Sequence, residues 1–388
     1  MNGIESCRKS TTAGFVNDSV LVIQGHLRSS IFGALNPFLG QLLRLFGYKS
    51  LLVLILFGNL HAAELLDLEK GAQSFVLETK RIEIPGFPYA FNPAIVRWQG
   101  RLLMSFRVIP ERKQSFNSEI GLVWLNEEFD PISTPQLLSL REEDSTVPCR
   151  AEDARLIVVG EKLYIVYDDN EEEKISKGGF RIYVSELIYD SEHFIARNVE
   201  GLFHFEGESK ERREKSWVPF NYHGNLLLAY SILPHRIFFP RLDGSGHCLT
   251  IEETRGDIQW DFGELRGGTP GILDGWEYLA FFHSTKKMAT IHSNGKPTLH
   301  YFLGAYTFSS SPPFEITQIS PEPIVGENFY HGIPYTPYWH PVQAIFPCGY
   351  ISDENYIWIA YGRQDHECWI VKLEKNGLLQ SLIPVRSE

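Results

Sequence analysis

Short apolar runs separated by turn residues recur along this chain, and they recur in pairs. Residues 91–96 turn at Gln99-Gly100-Arg101 and return through 102–106 to Arg107. From residue 151 a run turns at Gly160-Glu161-Lys162 and returns to Tyr167-Asp168-Asp169. Residues 216–220 turn at His223-Gly224-Asn225 and return through 226–230 to Pro234-His235-Arg236. Residues 268–272 turn at Asp274-Gly275 and return through 278–282 to His283. Residues 341–345 turn near Ser352-Asp353-Glu354-Asn355 and return through 356–361 to Arg363 and Asp365. Runs of this length with Gly, Asn and Asp between them predict antiparallel hairpins. Five of them, starting about 50 to 75 residues apart, fall near the repeat range of propeller blades. Each is trailed by further strand-like text: 120–125, 181–188, 247–252, 300–306 and 368–373, alternating apolar and polar as half-exposed strands do. No long amphipathic helix interrupts the series. The pattern predicts an all-β chain, a five-bladed β-propeller over residues 75–380.

That prediction has a chemical consequence. In a hairpin the start of the first strand and the end of the second lie at the same end. Blades around one axis would therefore bring Asn92, Glu152, Asp153, Arg155, Trp217, His235, Arg236, His283 and Asp365 to one mouth. The sharpest of these corners is Arg150-Ala151-Glu152-Asp153-Ala154-Arg155, two adjacent acids between two arginines that open an apolar run. Burying a charge costs several kcal/mol unless it is paired or hydrogen-bonded. A plain strand would avoid it; a solvated corner is the ordinary alternative. The linkers 169–179 and 206–215 read as solvated, charged loops.

The first 63 residues read differently. Arg44 and Lys49 precede an apolar run at 51–60, and His61-Ala62-Ala63 follow. A basic flank, a short apolar core and a small-residue exit make a secretory signal; the run is short for a membrane span. The expectation is a signal or membrane-anchor segment outside the fold and an exported or membrane-anchored protein, cytoplasmic if the segment is not a working signal. The chain is 43% hydrophobic and 22% charged, ordinary for a globular protein, and the roughly 320 residues that remain suffice for one propeller. Its formal net charge of −12 argues against nucleic acid as a partner. An anionic substrate would then need a local basic pocket. Aromatic residues make up 13%, suited both to strands and to stacking on sugar rings. None of the five cysteines has zinc-ligand spacing, so no metal is expected. Cys348 and Cys368 are either a disulfide or two buried thiols, and Cys149 lacks a nearby histidine to activate it.

Several of these segments together resemble a family. Phe91-Asn92-Pro93-Ala94, Glu152-Asp153-Ala154-Arg155, the stretch from Gly267-Gly268-Thr269-Pro270-Gly271-Ile272 through Gly275-Trp276 to Phe282-His283, and Tyr361-Gly362-Arg363-Gln364-Asp365 occur in order at blade spacing. They resemble motifs of glycoside hydrolase family 130, five-bladed propellers that cleave β-mannosides by phosphorolysis or hydrolysis. Ala154 stands where that family usually has proline. The third hairpin departs from the well-studied phosphorylases and is nearer the related mannosyltransferases. The resemblance implies Asp153 as the proton donor, acting through a substrate hydroxyl, and a phosphate contact at His283. Asn92, Glu152, Arg155, Trp217 and Asp365 are the expected sugar-binding residues, with Trp217, Trp276 and Tyr361 as candidate stacking rings. Arg236, Arg266 and His283 are the expected phosphate ligands, from a cationic set that also holds Arg150, Lys215 and His235. Arginine suits a bidentate grip on phosphate. The expected activity is inverting phosphorolysis of a β-mannosidic oligosaccharide or glycan, with inorganic phosphate as co-substrate and no other cofactor. Hydrolysis, transfer from a sugar nucleotide, and non-catalytic glycan binding are the alternatives. Hydrolysis would call on Asp365 or Asp168 as the base for water.

Overall fold

The computed structural model describes residues 65–110, 117–141, 146–172, 178–331 and 342–387. The expectations for residues 1–63 and for Cys7 lie outside them. Among the described residues no helix is long and apolar enough to cross a membrane.

The described chain is all-β and propeller-like. Among the described residues helix is confined to one α-helical segment, Lys375–Ser381, and one 3-10 turn, Leu68–Gly71. The first blade is Phe91–Trp98, Arg101–Val108, Glu119–Leu125 and Gln136–Leu137, in that order. The second is Glu152–Val159, Lys162–Asn170, Phe180–Tyr189 and Phe194–Leu202, and the third Val218–Tyr222, Asn225–Ser231, His235–Pro240 and Cys248–Thr254. The closing blade is built from both ends of the domain. Ile345–Ser352, Tyr356–Arg363 and Glu367–Glu374 are completed by Val76–Ile82, with Ile82 opposite Cys368 and Val76 opposite Leu373.

The blade count needs a correction. Four regular four-stranded blades stand where five alike were expected; the fourth hairpin lies in a seven-stranded sheet. Its two long strands, Glu277–Met288 and Thr298–Ser309, pair over their whole length. They outrun a normal blade and gather extra partners, Val342–Gln343 in parallel beside Thr298–Ser309, and Ile383–Pro384 at the far edge. The first strand of this sheet is broken into Arg266–Gly267 and Ile272–Asp274. At the break the backbone comes so close that a Cβ on Gly268 would sit 2.6 Å from the Phe281 carbonyl oxygen.

The core runs as seams between successive sheets. Alternate residues of one strand serve opposite seams, because side chains alternate faces. Leu156 packs with Trp98, Leu103 and Trp124 of the first blade, whereas Ile157 packs with Trp217, Leu228 and Phe238 of the third. In the seven-stranded sheet Tyr278, Ala280 and Phe282 meet the third blade, and Leu279 and Phe281 meet the closing blade. A last seam joins Ile82, Ile351 and Ile370 to Ile95, Met104 and Phe106 of the first blade. This is why the inner strands are almost continuously apolar: both faces are covered. Cys348 and Cys368 are buried free thiols in this core.

Candidate active site

The inner strands of the first two blades begin with the same local device. Each has a register shift at its start, between Phe91 and Ala94 and between Glu152 and Arg155. Inside each bulge stands a non-glycine residue in the left-handed region, Asn92 at φ +48° and Asp153 at φ +53°. Such a residue costs on the order of 1 kcal/mol or more and persists where the surroundings enforce it. A bulge re-aims a side chain. Here it turns the two side chains toward each other: Asn92 Nδ2 donates to Asp153 Oδ1 at 2.7 Å. Gly362 makes room for this corner, since a Cβ there would collide with Asn92 Oδ1. At the end of its strand, Gln364 and Asp365 are also left-handed, at φ +55° and +54°.

Two cations knit the acids together. Arg107 ends the second strand of the first hairpin and reaches Glu152 Oε1 at 2.8 Å and Asp153 Oδ1 at 3.3 Å. Lys215 Nζ bonds Glu152 Oε2 and lies 2.7 Å from Asp168 Oδ2. Arg155 does something else. It donates to three backbone carbonyls, those of Gly268 at 2.5 Å, Asp153 at 2.7 Å and Gly267 at 3.3 Å. It ties the acidic corner to the glycine break of the seven-stranded sheet.

The carboxyls respond differently to this setting. Burial alone would push Asp153 up, but Arg107, Lys215 and the Asn92 amide outweigh it and hold its carboxyl below the usual range. Glu152 beside it does not keep it protonated. Asp168 is buried beneath Lys215, and its Oδ1 has no hydrogen-bond partner among the described residues. Burial pushes it up to about 7, with Asp153 and Glu152 adding to the rise and Lys215 opposing it. Asp365 keeps an edge to solvent; burial, with Asp153 and Glu152, pushes it up to about 6 against Arg107 and Lys215.

His283 is 3% exposed and stacks on Tyr301 at 5.8 Å and 17°. Burial first, then Arg155 and Arg266, lower it to about 3, so the imidazole is neutral; Nδ1 has no partner among the described residues. Arg266 stands directly across the strand pair from His283, half-exposed, with Glu264 Oε2 at 3.0 Å. Tyr301 feels the charges of Asp365, Asp153, Lys215 and Arg266, which marks these groups as one neighbourhood.

Carboxylate oxygens of Glu152, Asp153 and Asp168 lie within 4.8 Å of one another, close enough to hold a metal ion. Lys215 already bridges two of them, and its ammonium supplies the charge a cation would bring. The same closeness bears on catalysis. An inverting hydrolase needs about 6.5–9.5 Å between its acid and its base to admit a water. Asp168, fully buried and within 4.8 Å of Asp153, does not offer that space.

No sequence-family model matches the chain, and no curated protein matches it. Solved structures do. A mannose phosphorylase from Leishmania mexicana, in complex with phosphate, aligns at TM-score 0.54 and 12% identity over 82% of this chain and 94% of its own. A β-1,2-mannobiose phosphorylase from Listeria innocua, in complex with β-1,2-mannobiose, aligns at 0.51 and 14% over 81% and 95%. A glycosyl hydrolase from Bacteroides ovatus aligns at 0.50 and 14% over 84% and 95%. The likeness is one of fold.

Of the residues expected at the mouth, Asn92, Glu152, Asp153, Asp365, His283 and Arg266 share this neighbourhood, and Arg155 braces it through the backbone. Trp217 is not brought to it. It is 1% exposed in the seam between the second and third blades, edge-on to Phe205, Tyr230 and Phe238 at 5.2–5.3 Å, with Nε1 bonded to Glu214. Arg236 is held on the third strand of its blade by Glu206 at 2.8 Å and Glu253 at 3.5 Å. His235 is buried against Phe314 O, and burial lowers it to about 4. Arg150 serves the carbonyls of Glu172 and Asn170. Tyr361 is a core ring, and Trp276, 89% exposed, sits at the hairpin-turn end. A cavity of about 900 Å³ opens at that same end, lined by Val158, His223, Trp276 and Ser352, and contains none of the acids. Burial, aided by Asp169, pushes the Cys149 thiol up to about 11, so it is no nucleophile. Lys215, from the wider cationic set, and Asp168, the candidate base for hydrolysis, complete the cluster, together with Arg107 and Tyr301, which had no expected role. Arg107 was findable, because it lies at a hairpin end.

Proposed function

We propose that the chain is a carbohydrate-active enzyme that cleaves β-mannosidic bonds by phosphorolysis with inversion, on a five-sheet ring in which the seven-stranded sheet serves as the fifth blade. The observation that carries this reading is the corner at Asp153. A strained, bulged residue presents a carboxylate to the mouth, and Asn92, Arg107 and Lys215 fix its position and charge. In this reading Asp153 handles the proton that the leaving oxygen must take when the glycosidic bond breaks. A sugar filling the mouth deepens the burial that already opposes its charge, and so moves Asp153 toward the protonated form a donor needs. Asn92, Glu152 and Asp365 bind sugar hydroxyls.

Phosphate supplies the attacking oxygen, so no second catalytic carboxylate is needed. Neutral His283 offers it a hydrogen bond rather than a charge, and Arg266 meets its charge from the same strand pair. The likeness of fold to two phosphorylases is consistent with this choice. Hydrolysis would need Asp365 as base. The test is a screen of β-mannosides with and without phosphate, and with sugar-nucleotide donors. Product release that depends on phosphate supports the proposal; release without it moves the reaction to hydrolysis.

One observation favours a second reading, a glycan-binding propeller without chemistry. A carboxylate held below its usual range by two cations is also what a structural ion-pair network produces. Asp153→Asn separates the two. An enzyme loses turnover and keeps sugar binding; a binding module shows no turnover in wild type on any donor.

A further inference from the structure

Away from the acidic corner, Glu69, His292 and His331 place one carboxylate oxygen and two imidazole nitrogens within 4.8 Å of one another. They come from three separate stretches. Glu69 is on the 3-10 turn Leu68–Gly71, His292 on the turn after Glu277–Met288, and His331 beyond Ile316–Ile319. Each is held in place by its surroundings. Glu69 Oε1 accepts the Tyr330 N–H at 2.8 Å, and Oε2 accepts that of Asn328 at 3.3 Å. The same Oε2 lies 2.7 Å from His331 Nδ1. The His292 ring is 3% exposed, with Nε2 facing Asp67 Oδ1 at 3.2 Å. Its turn is locked by reciprocal bonds between Thr290 and Ser293.

Carboxylate–histidine pairing explains each contact singly, but not why the two imidazoles converge. Their ring centroids are 5.5 Å apart. Two imidazole nitrogens and a carboxylate oxygen are a donor set that a borderline-soft divalent ion takes, releasing the protons that link each nitrogen to its carboxylate. Bonds of about 2.0–2.1 Å in tetrahedral geometry put donors roughly 3.4 Å apart. The donors, within 4.8 Å of one another, would have to draw closer to reach that spacing, and three protein ligands leave a fourth position for water or Asp67. The oxygen-only cluster at Glu152, by contrast, suits a harder ion and is bridged by Lys215.

We propose that Glu69, His292 and His331 form a zinc-type site that fastens the start of the described chain to the rim of the mouth. The connection to the rim is two side chains long. Gln343 Nε2 donates to the His292 carbonyl at 2.8 Å, Gln364 Nε2 donates to Gln343 Oε1 at 2.5 Å, and Gln364 adjoins Asp365. The site does not depend on the function proposed above.

The test uses the full chain without an affinity tag, stripped by chelator and titrated with Co²⁺ and then Zn²⁺. Expected are one tightly bound Co²⁺ per chain with visible d–d absorption, its displacement by Zn²⁺, and a higher melting temperature with the ion. His331→Ala and Glu69→Gln should each lose at least about tenfold in affinity. His331 is 62% exposed, and the Gln carbonyl keeps the shorter Tyr330 N–H bond while giving up the longer one from Asn328, so both variants are expected to fold. Failure of wild type to take up either ion overturns the proposal. So does uptake that either variant leaves unchanged, or uptake abolished by Asp153→Asn instead.

Discussion

The inner corners of the second and third blades share a backbone and differ in everything they present. Both begin their inner strand beside a left-handed, non-glycine residue, Asp153 at φ +53° and Ser216 at φ +65°. At the second blade this residue carries a carboxylate into a cluster of acids and cations. At the third it carries a buried hydroxyl, and the next side chain, Trp217, turns into the seam between blades. The residues past each hairpin diverge likewise. Asp168, late in the second strand of its blade, meets Lys215. The third blade's second strand instead stops at Ser231, and His235 and Arg236 open its third strand, His235 buried against a carbonyl and Arg236 pairing outward with Glu206. Fold position therefore sets where chemistry can be placed; the side chain that the bulge turns inward decides whether it is.

The largest expected difference is in turnover. Asp153→Asn keeps the shape of the corner and the Asn92 contact but removes the proton-handling carboxyl. Loss of a positioned acid or base costs about 10²–10⁴-fold in rate. If the proposed activity holds, steady-state kinetics on the substrate found by the screen should show kcat reduced within that range and sugar affinity largely kept. Ser216→Ala should leave kcat within a few fold. Equal damage from both variants would erase the contrast between the corners.

Next comes stability. Trp217 is fully buried among aromatic rings, and truncating such a side chain typically costs about 3–5 kcal/mol. Denaturant unfolding of Trp217→Ala should show that loss, while the molecules still folded keep their activity. A drop in kcat with stability unchanged would return Trp217 to the site.

The fold was more legible than the site. Hairpins announce themselves through short apolar runs and glycine turns, and all five expected inner pairs are in separate sheets. Val76–Ile82 gave no sign that its partner is Glu367–Glu374, because pairing between the two ends of a domain leaves no local pattern. The seven-stranded sheet was hidden for a related reason: its extra strands are two residues long and far away in sequence. In the site, Asp153 and Asn92 stood out as polar residues opening apolar runs. Trp217 looked equivalent, and only the backbone at Ser216 shows that it faces the seam. Lys215 closes a charged stretch that reads as solvated surface, yet it bridges two buried acids.

A smaller effect distinguishes Asp168 from its ordinary counterparts by pH. Its folded-state value, about 7, lies above the 3.8 of a free aspartate. Between those values the native protein holds a proton that the unfolded chain has released. Stability from this group is therefore greatest below about pH 4 and declines as pH rises toward 7. Asp168→Asn removes the group, so its melting temperature should gain on wild type across that window and run parallel to it outside. A difference between the two that stays constant from pH 4 to 7 would mean that Asp168 does not carry its proton upward on folding.

The smallest contrast concerns the two arginines expected to hold phosphate. Arg236 is paired with Glu206 and Glu253, and those carboxylates are 78% and 42% exposed, so solvent screens the pairs and each is worth about 1 kcal/mol or less. Among the described residues Arg266 is bound by Glu264, itself 73% exposed, and stands across from His283. If phosphate is the attacking group, Arg266→Ala should raise its KM by about tenfold, the scale of one charge-assisted contact at roughly 1.4 kcal/mol. Arg236→Ala should move it less than twofold, because its guanidinium belongs to the outer strands of the third blade rather than to the mouth. Phosphate dependence titrated for both variants decides the matter. A larger effect at Arg236 than at Arg266 would show that the third blade contributes to the anion site after all, and would undo the distinction between the two corners.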